Sequence, residues 1–153
     1  MIVADTGAVI ALVDRAEPQH AALRRSFEAD PEGWVLPWAI LPEVDYLLSA
    51  HVSARAHGLF FADLAAGAYR VEWGEDADLR RALQIETRYK ALRLGLVDTV
   101  VMAVAERLRA AAIATLDHRH FGAVAIKGTP RLLPRDLGRS DAANPRLVRK
   151  RPR

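Results

Sequence analysis

The chain opens on an apolar run, Ile2, Val3 and Ala4, which the polar triplet Asp5-Thr6-Gly7 interrupts before apolar residues resume over 8–13. That order predicts a short strand, a turn and a short buried helix. Beyond Pro18, the residues Ala22, Leu23 and Phe27 recur at helical spacing within a helix over 19–29, which Asp30-Pro31-Glu32-Gly33 stops. Trp34, Val35 and Leu36 make a second brief strand. Pro37 and Pro42 bracket the start of another helix, in which Val44, Leu47 and Leu48 share a face and Glu43 falls in the first turn.

The pattern continues with a helix over 57–66 and a strand over 69–73. A long amphipathic helix over 76–94 follows, carrying Leu79, Leu83, Ile85 and Leu92 and ending at Gly95. Asp98 opens a further helix, with Val97, Val101, Val104, Ala105 and Leu108 on its buried side. Residues 113–116 form a strand that ends at Asp117, residues 124–126 a weaker one, and residues 128–137 a loop. Strands alternating with helices predict an α/β fold built on a mostly parallel sheet.

Composition narrows this picture. The 153 residues suffice for one globular domain, expected over 1–138, and the apolar fraction of 51% is that of a folding chain. Cysteine is absent, which excludes disulfides, thiolate metal sites and a cysteine nucleophile. Asp5 interrupts the first apolar stretch, no basic segment precedes it, and no uncharged run approaches the roughly 20 residues of a membrane helix. A soluble, cytoplasmic protein with no membrane partner is the expectation. The net charge of +3 is uneven: residues 139–153 hold six Lys or Arg against the single acid Asp141, so this segment is +5 and the remainder −2. Such a basic segment without apolar periodicity predicts a disordered tail, either a contact for RNA or acidic protein or a solubilising extension.

Four acids fall at informative places. Each has a local explanation: Asp5 and Asp98 as helix N-caps, Glu43 as a complement to a helix dipole, Asp117 as a turn residue. Their combination is more telling. The helix from Asp98 descends for about 12 residues and the strand from Ile113 climbs back, so Asp98 and Asp117 return to one edge of the sheet. Asp5 ends a strand and Glu43 starts a helix soon after one, which assigns all four to the edge where open α/β folds place their sites. Two carboxylates at 4 Å repel by about 4 kcal/mol at an effective dielectric near 20, so a cation is expected between them. An all-oxygen donor set suits Mg²⁺ or Mn²⁺, and such ions favour phosphodiester hydrolysis by a metal-activated water.

The opening Ile-Val-Ala-Asp5-Thr6-Gly7, the helix start Pro42-Glu43-Val44, the segment Gly95-Leu96-Val97-Asp98-Thr99 and the segment Thr115-Leu116-Asp117-His118-Arg119-His120-Phe121 together resemble the PIN-domain signature, from Met1 to about Leu137. The compact length resembles the VapC-type toxins within that class. The resemblance implies a three-layer α/β/α sandwich and an endoribonuclease dependent on Mg²⁺ or Mn²⁺. It implies Asp5, Glu43, Asp98 and Asp117 as the catalytic acids, with Asp5, Asp98 and Asp117 on the metal and Thr6 and Thr115 supporting them. It further implies products with a 3′-hydroxyl and a 5′-phosphate, and a small antitoxin as partner. Pro42 directly before Glu43 and the basic tail after Gly138 depart from the pattern.

Other residues carry weaker signals. His118 and His120 flank Arg119 and admit an acid/base pair or a metal site, but polar loop residues are the preferred reading, with Arg119 a candidate contact for substrate phosphate. Arg80, Arg81, Arg88, Lys90 and Arg93 fit RNA guidance or, more commonly, a solvated helix face. Trp34, Trp38 and Trp73 fit base stacking or, by their apolar neighbours, core and partner contacts. Apolar surfaces on the early helices fit a homodimer, an antitoxin interface or ordinary core. An aspartyl phosphatase would need a second acid two residues after Asp5, where Gly7 stands. An RNA-processing PIN nuclease that is not a toxin, and a non-catalytic RNA- or protein-binding module, are the alternatives to the toxin reading.

Overall fold

The computed structural model describes residues 1–138; the basic segment 139–153 lies outside the described residues. Five short strands, β1 (Ile2–Ala4), β2 (Trp34–Pro37), β3 (Arg70–Glu72), β4 (Ala112–Ala114) and β5 (Arg131–Leu133), form one sheet in the order β3-β2-β1-β4-β5. Every pairing is parallel, with Val3 opposite both Val35 and Ile113. A parallel sheet must be covered on both faces, and right-handed crossovers decide which helices do so. The chain moves one way from β1 to β3 and the other way from β3 through β4 to β5. Hence α1 (Thr6–Val13), α2 (His20–Ala29), α3 (Leu41–Leu47) and α4 (Ala54–Ala65) cover one face, and α5 (Asp76–Arg88) and α6 (Leu96–Arg107) the other. The short α7 (His118–Ala123) connects β4 to β5. This is the α/β/α sandwich expected from the sequence, with a wholly parallel sheet.

The core forms where these layers meet. Val3, Val35, Leu36 and Ile113 from the sheet, Val9 and Leu23 from one helical layer, and Ile85 and Met102 from the other are fully buried or nearly so. Helix α6 is buried on nearly every side from Thr99 to Ala105, because it lies between the sheet and α5. That explains its all-round apolar sequence.

Several elements differ from their sequence-predicted form. Helix α4 begins three residues early, at Ala54, because the Ser53 hydroxyl accepts from the Ala56 N–H at 3.0 Å. The long helix stops at Arg88, and a tight turn over Lys90–Leu92 ends at Arg93, whose φ of 54° is left-handed. Leu79 and Leu83 are exposed, whereas Ile85 packs as predicted, with Ala82 beside it. Residues 124–126 form a turn, closed by Ile126 N–H to Val124 C=O, rather than a strand. The fifth strand comes from the predicted loop: Arg131–Leu133 pairs with β4 between Pro130 and Pro134. Proline is tolerated there because an edge strand has one unpaired side.

Candidate active site

The sheet order reverses between β1 and β4, which move their connections to opposite faces; this switch point opens a crevice at the strand C-termini. Asp5 stands directly after β1, its N–H donating to Ala114 C=O at 2.8 Å, so the sheet ladder itself aims it into that crevice. It is the N-cap of α1, and its Oδ1 accepts from the Thr6 N–H at 2.7 Å. Its Oδ2 accepts from the Thr115 hydroxyl at 2.8 Å, joining residues from the two central strands. Asp5 is 6% exposed and Thr115 wholly buried. Burial pushes the Asp5 carboxyl from 3.8 up to about 6, the two hydrogen bonds oppose this, and the charges of Asp98 and Glu43 add to it.

Glu43 sits in the first turn of α3, exposed to solvent. Its Oε2 accepts from the Thr6 hydroxyl at 2.6 Å, so Thr6 links it to the residue that precedes it, Asp5. Asp98 is not a helix cap: Gly95 caps α6, and Asp98 lies in the first turn with its carboxylate near the helix N-terminus. Burial raises its pKa above the ordinary range; the charge of His120 offsets this and that of Asp117 reinforces it. Asp117 caps α7, its Oδ1 accepting from the His120 N–H at 2.9 Å, while its own N–H donates to Thr115 Oγ1 at 3.0 Å. Thus Thr115 donates to one acid and positions another. The structure brings together all four predicted acids and both predicted threonines.

His120 is the residue that sequence reasoning placed elsewhere. Residues 118–123 form a helix rather than a loop, and the i,i+3 spacing on it sets the His120 ring over Asp117. Nδ1 lies 2.9 Å from Asp117 Oδ2 and 3.3 Å from Asp98 Oδ2. Donor atoms of Asp98, Asp117 and His120 all lie within 4.8 Å of one another, a spacing compatible with one metal ion. The capping motif Asp117-x-x-His120 was the available signal, visible only once the segment is read as helical. Arg119, beside them, is exposed.

Other candidates separate from the crevice. Arg81 is held by Glu106 at 2.6 Å, and Arg107 binds Asp78, Glu72 and Glu75, so these cations clamp α5 against α6 and β3. Trp34 is buried against Phe27, whereas Trp38 and Trp73 are exposed and line a shallow cavity of about 200 Å³ with Leu79. A larger cavity of about 810 Å³ lies between α1, α2 and α4, lined by Leu12, Arg24, Leu59 and Phe60 among others, and none of the four acids lines it. No described helix is long and apolar enough to cross a membrane.

Comparison with known proteins agrees with this arrangement. The PIN domain family profile matches residues 2–127. The chain is 33% identical over 123 residues to Ribonuclease VapC26 of Mycobacterium tuberculosis, covering 80% of this chain and 91% of that protein. Among solved structures, VapC20 of Mycobacterium tuberculosis, described as a Sarcin-Ricin loop cleaving toxin, superposes with a TM-score of 0.71 at 20% identity over 80% of this chain and 95% of that one. The DNA-bound VapBC of Salmonella typhimurium superposes with a TM-score of 0.66 at 16% identity, covering 86% and 95%. At such identities the structural likeness speaks for the fold alone. The profile match over most of the chain and the VapC26 relative carry the assignment: this chain belongs to the PIN-domain family.

Proposed function

We propose that this protein is a divalent-metal-dependent endoribonuclease and the toxin of a toxin–antitoxin pair. The observation that carries the reading is the convergence on Asp5: a buried carboxylate that feels the charges of Glu43 and Asp98, with Asp117 acting in turn on Asp98. Such a concentration of negative charge is costly without a cation. The donors fit Mg²⁺ or Mn²⁺, hard ions that take carboxylate oxygens and retain open positions for water and phosphate. Asp5, Asp98 and Asp117 are the residues that would hold the ion. When bound, it would supply an activated water and charge stabilisation at the scissile phosphate.

The chain's own residues set the geometry for that chemistry. Thr115 fixes Asp5 and Asp117 relative to one another, and Thr6 fixes the exposed Glu43 over the crevice, where it can take a proton from an attacking water. Arg119, exposed and between His118 and His120 on α7, is the residue we assign to contact substrate phosphate. The ribonuclease name of the VapC26 relative and the toxin–antitoxin complexes among the structural neighbours support RNA as substrate and a small antitoxin as partner.

The test is cleavage of RNA by the purified chain in Mg²⁺ or Mn²⁺, with excess EDTA and with Asp98→Asn as controls. Chelation and the substitution are each expected to abolish cleavage, the variant keeping its circular dichroism spectrum. Undiminished cleavage in EDTA, or by a folded Asp98→Asn protein, would refute the metal mechanism. Growth arrest on expression, relieved by the product of a neighbouring short reading frame, is the expected cellular behaviour; harmless expression of active enzyme would refute the toxin assignment and favour an RNA-processing role.

A further inference from the structure

We propose that His120 is itself a metal ligand, through Nδ1, and that this nitrogen makes the site select a transition-metal divalent cation such as Mn²⁺ over Mg²⁺. The inference rests on the reading of the acidic crevice as a metal site and adds a donor to it.

Three observations carry it. First, His120 Nδ1 is excluded from solvent and faces the carboxylate oxygens of Asp117 and Asp98, although the ring is only partly buried. In the tautomer that carries its proton on Nε2, the Nδ1 lone pair points at the same gap as the two carboxylates, so the imidazole is placed to ligate a cation held between them. Second, its spacing is that of neighbouring ligands. Oxygens about 2.1 Å from an octahedral ion lie about 3.0 Å from their neighbours. Nδ1 stands 2.9 Å from Asp117 Oδ2 and 3.3 Å from Asp98 Oδ2. Third, the position is enforced by the fold rather than by a flexible side chain. Asp117 uses its other oxygen to cap α7 at the His120 N–H, and Thr115 anchors the Asp117 N–H, so Oδ2 and the ring are both presented to Asp98.

A nitrogen donor changes selectivity for a physical reason. Mg²⁺ binds oxygen and sheds water reluctantly, whereas imidazole is a better ligand for first-row transition metals, whose affinities for nitrogen-containing sites rise from Mn²⁺ onward. Three of the other four histidines serve as comparisons. His20 bonds the Ala11 carbonyl and His57 the Asp45 carboxylate, while His118, whose Nδ1 is buried without a hydrogen bond, lies outside the three-donor group and so differs from His120 in position.

The experiment uses the full chain, freed of metal and titrated calorimetrically with MnCl₂ and separately with MgCl₂, alongside pulsed EPR of the Mn²⁺ form. Nitrogen modulation from a directly bound imidazole is expected in the wild type and in His118→Ala, and its loss in His120→Ala. The His120→Ala protein should bind Mn²⁺ about 10- to 100-fold more weakly, and Mg²⁺ with a change of less than about threefold, as expected if Mg²⁺ relies on oxygen donors. His120→Gln, which preserves side-chain bulk, gives the same reading if the alanine variant does not fold. Bound Mn²⁺ without nitrogen modulation, modulation that survives loss of His120, or an equal weakening of both ions would overturn the role of His120 while leaving the acidic site intact. A wild type that binds neither ion, or an Asp98→Asn variant that binds both normally, would overturn the metal-site reading and this inference with it.

Discussion

The buried carboxylate of Asp5 should cost the metal-free protein stability at neutral pH, and Asp5→Asn should recover it. Burial raises this carboxyl from 3.8 to about 6, so the folded state holds the proton more tightly than the unfolded chain does. A group shifted upward contributes stability below its unfolded pKa, and that contribution disappears as pH rises through the folded value. With about 1.4 kcal/mol per pKa unit, the wild type loses about 3 kcal/mol from this group between about pH 3 and about pH 8.

Asparagine does not titrate. Its carbonyl can accept from the Thr6 N–H and its amide can donate to Thr115 Oγ1, which also accepts from Asp117 N–H. Allowing about 1 kcal/mol for the poorer hydrogen bonding at all pH values, the variant should be about 1 kcal/mol less stable near pH 3 and about 2 kcal/mol more stable near pH 7.5. Urea unfolding in EDTA at several pH values measures the difference directly, and groups common to both proteins cancel. Saturating Mg²⁺ should reverse the order at neutral pH, since a ligand at 100 times its Kd adds about 2.7 kcal/mol to the state that binds it. A stability difference that stays constant from about pH 3 to about pH 7.5 would refute the burial argument for Asp5.

Two further substitutions separate positioning from folding. Thr6→Val removes the hydroxyl that holds Glu43 at 2.6 Å and should lower RNA cleavage by about 10- to 100-fold while changing unfolding free energy by less than about 1 kcal/mol; Thr6→Ser should restore activity. Full activity in the valine variant would remove Glu43 positioning from the mechanism. Arg107→Ala should destabilise by about 3 kcal/mol in urea unfolding, because it strands Asp78, which is 4% exposed, beside Glu72. A loss below about 1 kcal/mol would mean that this clamp between α5, α6 and β3 is not structural in the sense the ion pairs imply.

Local chemistry made a large part of this protein readable from its residues. A hydrophobic run ending in Asp5-Thr6-Gly7, a proline-led helix carrying Glu43 and an apolar helix with Asp98 near its start are patterns set within a few residues, by strand propensity, capping and helix dipoles, although the cap of that last helix is Gly95 and not Asp98. They sufficed to place four acids at one end of a parallel sheet. What local pattern could not supply was pairing over distance. Strands of three residues carry too little periodicity to be distinguished from turns, so Arg131–Leu133 became a strand only because β4 offered its free edge.

The same limit applies to the site. Asp5 and Thr115 are 110 positions apart, and their hydrogen bond exists because β1 and β4 are adjacent in the sheet order. Sequence placed Asp5 at the end of a strand; tertiary packing removed its water and raised its pKa. Likewise His120 met Asp98 through the packing of α7 against α6, and Arg81, a candidate RNA contact, is held instead by Glu106 on another helix. Residue type and near neighbours determine which groups are able to do chemistry, whereas burial and charge coupling depend on which segments the fold brings into contact.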